Sequence, residues 1–145
     1  MNEFELEDFI VDFLLSSELF KTTEEDEIPF LKGNIFKSGT RTSIGDEDVL
    51  VEVLSIDDAQ FQSATVSVKI YVDDLNVGSP KLVPNTSRLK QISSKFEETF
   101  KSKGTSYCLT TDKLRMKLYS IKRERKSDLK QHCVNCLFNL VIINF

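Results

Sequence analysis

The chain has no tryptophan, one histidine and three cysteines in 145 residues. Each scarcity closes off a class of protein. A small, odd number of cysteines does not build a disulfide framework and fits a reducing compartment. With His132 as the lone histidine, every nucleophile–base pair that needs an imidazole has to use it. No apolar run reaches the roughly 18–20 residues that a membrane span requires. The longest, near 136–143, is broken by Asn139. The first residues are acidic, with no basic n-region and no cleavage-site pattern, so no signal peptide is expected. There is no internal repeat and no low-complexity tract. The expectation from these absences is a cytoplasmic protein.

What is present is ordinary globular material. Hydrophobic residues make up 40% and charged residues 29%, and eleven phenylalanines supply bulky core side chains. A chain of this length buries a genuine core without staples, so one domain spanning 1–145 is expected. The formal charge of −4 hides a strong polarity. Residues 1–60 carry 16 acids and 4 basic residues, a net −12, while residues 61–145 carry 7 acids and 15 basic residues, a net +8. Such a split reads in three ways: a basic half that meets nucleic acid, complementary surfaces on successive subunits, or two solvated faces of a monomer.

The pattern along the chain is α+β. NEFELEDFIVDFLLSSELF predicts a helix, with Asn2 as cap, Glu5 three residues on, and acids in the first turns. Leu6, Phe9, Ile10, Phe13 and Leu14 form its apolar stripe, and Val11 and Leu15 widen it. Such breadth points to burial on more than one side, within the fold or against a neighbour. A short strand is expected at 34–37, then a polar exposed loop at 38–48, then a strand at 49–56. ATVSVKIYV (64–72) alternates apolar and polar side chains and is the clearest strand. Asn85 or Thr86 caps a second helix, with Leu89, Ile92, Phe96 and Phe100 on one face and Gly104 at its stop. SYCL (106–109) and KLRMKLYSIKRER (113–125) follow. The alternation of Leu114, Met116 and Leu118 in the latter favours a strand over a helix. A basic, exposed hairpin loop is expected at 122–130, and a last strand from 131. The fold class is thus an antiparallel or mixed sheet, with an N-terminal helix and a second helix packed on one face.

His132, Cys133 and Cys136 spell H-C-x-x-C. In a strand, residues three apart point to opposite faces, so the two thiols cannot share a tetrahedral zinc. Cys136 belongs instead to the apolar row Val134, Cys136, Phe138, Leu140 and Ile142, with His132 at its periphery. No G-x-S-x-G elbow, P-loop or G-x-G-x-x-G occurs. Acid clusters at Asp46-Glu47-Asp48, Asp57-Asp58 and Asp73-Asp74 lack EF-hand spacing and sit at strand ends. Neither catalysis, a metal nor a cofactor is expected. The basic strip Lys113–Lys130 holds eight basic residues against Asp112, Glu124 and Asp128. It suits phosphates, an acidic protein surface, or solvent, and Tyr119 alone offers a ring for base stacking.

Three local patterns, EDFIVDFLLSSELFK (7–21), GNIFKSGTRTSIGDEDVLVEVLS (33–55) and VSVKIYVDDL with PNTSRLKQIS (66–75, 84–93), together resemble the small tail-completion and tail-terminator proteins of tailed bacteriophages, particularly those of Bacteroidetes hosts. KQHCVNCLFNLVIINF takes the place of their final strand. The resemblance implies an α+β subunit of a ring at the head–tail junction or tail end. It also implies a virion location, host cytoplasm during assembly, and portal, connector or tail-tube neighbours. A head-to-tail ring needs two different complementary surfaces on each subunit, which the charge split supplies. On this reading Arg41, Asp46, Glu47 and Asp48 in one loop, and Lys122, Arg123, Arg125 and Lys126 in the other, contact the next subunit, the portal side or DNA in the lumen. Two alternatives stand beside it: a cytoplasmic nucleic-acid-binding module using residues 113–130, and an accessory subunit of a bacterial complex unrelated to phage.

Overall fold

The computed structural model describes residues 2–20, 29–37, 45–57, 61–76, 82–100, 109–110, 114–126 and 130–143. Helix α1 (Glu3–Leu15) opens on Asn2, whose side chain accepts the Glu5 N–H at 2.9 Å. It stops five residues short of the expected end at Phe20. Ser16 and Ser17 donate their hydroxyls to the carbonyls of Phe13 and Leu14, which competes with continuation of the helix.

Strands β1 (Ile35–Lys37), β2 (Val49–Ile56), β3 (Phe61–Asp73), β4 (Leu109–Thr110), β5 (Leu114–Lys126) and β6 (Gln131–Ile143) form one six-stranded sheet ordered β1-β2-β3-β6-β5-β4. The β1–β2 pair is parallel and the other pairs are antiparallel, so the sheet is mixed. Helix α2 (Thr86–Phe100) has Asn85 as its cap, the Asn85 side chain accepting the Arg88 N–H at 3.3 Å. The fold is α+β.

The register sorts the side chains. Val49 and Val51, Val66 to Val72 at alternate positions, Val134 to Ile142 at alternate positions, and Leu114 and Met116 share one face. Both helices cover that face. Leu6, Ile10 and Leu14 of α1 and Leu89, Ile92, Phe96 and Phe100 of α2 are buried with it. Phe100 links the layers, its ring 5.5 Å from Phe13 and 5.6 Å from Phe138. Helix α1 packs toward β1 and β2, and α2 toward β5 and β6.

Two expectations are corrected. The basic stretch 122–130 is not a nine-residue loop, because β5 stays paired with β6 as far as Lys126↔Gln131. The strand continues there with charged residues on both faces, held by its backbone pairing with β6. The polar loop 38–48 is fixed at its end, where Glu47 and Asp48 are buried. Residues 38–44, Arg41 among them, lie outside the described residues.

Candidate functional site

The acidic run Asp46-Glu47-Asp48 is a structural knot at one end of the sheet. Glu47 adopts a left-handed backbone, φ 62°, and donates its N–H to the Tyr71 carbonyl at 2.6 Å. Its carboxylate meets Arg88 of α2 through two bonds, Nε to Oε2 at 3.0 Å and Nη2 to Oε1 at 2.7 Å. Arg88 also reaches the Phe30 carbonyl and stacks over the Phe30 ring. Gly33 runs so close that a Cβ there would collide with the Glu47 carbonyl. Asp48 accepts the backbone N–H groups of Asn34 at 3.1 Å and Gly45 at 2.8 Å. Asp46 accepts the Asp73 N–H at 2.8 Å and pairs with Lys32, a bond that holds the Lys32 ammonium above its ordinary pKa. Glu47 and Asp48 are therefore spent inside the subunit, and Asp46 keeps only part of its surface for a neighbour.

The same end of the sheet holds His132, whose Nδ1 lies 2.6 Å from Asp74 Oδ1. Next to it, Gln131 donates to the Gly45 carbonyl at 3.1 Å and to Asp73 at 2.7 Å. Arg125 stands opposite His132 and Lys126 opposite Gln131 in the β5–β6 register. The acidic knot on β2 and the end of β5 thus share one end of the sheet, three strand spacings, or about 14 Å, apart.

The two cysteines stand on opposite faces as expected. Cys133 pairs across with Tyr71 and Glu124, and Cys136 with Val68 and Ile121. Both are buried and outside any disulfide, and burial, with Cys133 nearby, pushes the Cys136 thiol far above its ordinary range. A thiol held neutral in a core behaves as a small hydrophobe. On the helix-free face, Ser67 donates to Asn135 at 2.6 Å and Asn135 to Glu124 at 3.1 Å, a polar link across β3, β6 and β5.

Strand β5 is the exposed cationic element. Arg115, Lys117, Lys122, Arg123 and Arg125 are exposed, and Glu124, the acid among them, is engaged by Asn135. Arg115, Lys117 and Lys122 stand on the helix-free face, and Arg123 and Arg125 on the other, by their register with β6. Beyond Met116 the outer side of β5 has no strand partner among the described residues. Tyr119 is the extra residue of a bulge in β5, and Leu54 is its counterpart in β2. Both side chains are about half exposed, at 47% and 54%.

Helix α1 is the opposite pole. It carries Glu3, Glu5, Glu7, Asp8 and Asp12 with no basic residue. Glu7 lies on its buried side and bonds the Val53 backbone of β2; burial, then the nearby Glu3, raises its pKa. Asp8 pairs with Lys37 of β1.

Sequence reasoning missed Arg88, Gln131, Asp74 and Glu7 as partners of these groups. An arginine in the first turn of α2 departs from helix-dipole expectation and could have flagged a tertiary anion. No protein-family model matches the chain. No curated protein matches its sequence.

Proposed function

We propose that this protein is a structural subunit that assembles head to tail into a ring, of the kind found at the head–tail junction or tail end of tailed bacteriophages. The observation that carries the reading is the spatial placement of charge. Sheet order puts α1, β1 and β2 of the acidic half at one flank and the cationic β5 next to the other edge. Sequence halves have become opposite sides, which is what a repeated heterologous contact requires. Complementary potentials speed such encounters and select the partner, while apolar contacts hold it.

The test is light scattering and electron microscopy of the purified protein across a salt series, beside the triple variant Arg123→Glu, Arg125→Glu, Lys126→Glu. Wild type is expected to form closed rings. The variant stays folded but assembles more slowly, most clearly at low salt, because screening confines exposed charges to about 8 Å at 0.15 M. Equal rates at every salt would remove the charge split as an interface. A wild type that stays monomeric beside its virion neighbours, and binds DNA with a steep salt slope, would replace this reading with the nucleic-acid one.

A further inference from the structure

Helix α1 shows solvent a second apolar stripe. Phe4, Val11 and Leu15 fall at spacings of seven and four, about a third of a turn around the helix from the buried Leu6, Ile10 and Leu14. Phe4 is 72% and Leu15 51% exposed, while Val11 is partly covered. Asp12 and Asp8, the latter paired with Lys37, run along the stripe, both exposed. An apolar strip with an acidic border is the composition of a contact surface, with a dry centre and a charged rim.

The matching surface lies on β5. Its bulge turns Tyr119 outward, and a hollow lined by Leu118, Tyr119, Ser120, Ile121 and Glu97 opens between α2 and the strand. Lys117 and Lys122, on the helix-free face, and Arg123, on the helix face, are exposed along β5 to either side of these residues. Among its described lining residues Glu97 is the acid, and the strand beside it carries three exposed cations. The apolar parts are alike in kind and the rims are opposite in sign.

We infer that the outer stripe of α1 docks onto the β5 bulge of a second copy of this chain, with Phe4 and Leu15 as anchors and Asp8 and Asp12 facing Lys117, Lys122 and Arg123. This rests on the ring reading and names the two surfaces that meet. The contact is heterologous, since α1 sits at the β1–β2 flank and β5 at the far one. Using both surfaces on every copy therefore propagates a chain of subunits rather than a closed dimer.

Photo-crosslinking tests it directly. Benzoyl-phenylalanine replaces Phe4 or Leu15, exposed positions where the fold tolerates a bulky ring, in a mixture of isotopically light and heavy protein. Crosslinks between light and heavy chains are expected in the 114–126 segment. In parallel, Phe4→Asp and Leu15→Asp should each weaken self-association roughly tenfold or more while leaving thermal melting in place. Assembly that persists in both variants, with crosslinks falling elsewhere, overturns the docking surfaces and leaves the ring reading standing. A wild type that neither self-associates nor crosslinks between chains at any concentration overturns both.

Discussion

At the scale of single residues, Glu7 is an acid held where its charge is unwelcome. Burial is the larger cause and Glu3 the next, and both lift its pKa above the ordinary glutamate value. Folding therefore favours the protonated form. The stabilisation is fully present below the unfolded pKa, about 4.3, and is lost as pH rises through the folded value. Glu7→Gln, which keeps an oxygen for the Val53 N–H, is expected to raise the melting temperature at pH 7. The gain should vanish below about pH 4, where both side chains are neutral. A variant less stable than wild type at pH 7 would show that the charged carboxylate is a net asset. Glu47 is the contrasting case, buried but met by the Arg88 fork at 2.7 and 3.0 Å. Nothing in GDED distinguished Glu47 and Asp48 from solvated loop acids. Their partners include Arg88, 41 residues from Glu47, and the Asn34 N–H, 14 residues from Asp48. The cysteines were readable, because strand alternation alone settles which face each occupies.

At the scale of elements, Phe100 and Phe4 mark the two sides of the helical layer. Phe100 joins α2, α1 and the sheet through Phe96, Phe13 and Phe138. Phe100→Ala should cost about 3–5 kcal/mol, as for other buried phenylalanines, and Phe4→Ala within about 0.5 kcal/mol of nothing. Urea denaturation of the two variants checks the pair; equal losses would mean that α1 is docked by its other face. The fold was legible where hydrophobic period decides structure. Strand β2 falls at the expected 49–56, and the stripes of both helices point into the core as read. The end of β5 was not legible, because KRERK offers no apolar row there and the strand is held by backbone pairing with β6. Bulges were invisible for a related reason. Leu54 and Tyr119 each look like one more step of an alternating strand, and only the register of the partner strand shows the added residue.

At the scale of the whole molecule, the polarity seen in the sequence survives folding because the sheet keeps the order of the chain's halves. Residues 1–56 supply α1, β1 and β2 at one flank, and β5 stands beside the opposite edge. Of the residues expected at the interface, Lys122, Arg123 and Arg125 stand exposed on β5, while Glu47 and Asp48 are internal. The acidic surface of the ring reading accordingly moves from the loop to α1, whose wide apolar stripe pointed to burial on more than one side, within the fold or against a neighbour. The central claim is a head-to-tail contact between two different surfaces, and mixing two half-blocked subunits measures it most directly. One variant carries Leu15→Asp on α1, and the other carries Tyr119→Asp, which puts a charge into the apolar centre of the β5 surface. By light scattering, each alone is expected at the 16.6 kDa subunit mass. Mixed at equal amounts, the intact β5 of the first meets the intact α1 of the second, and the mass should double and stop there. A mixture that stays monomeric while wild type assembles, or a single variant that dimerises by itself, would contradict the account.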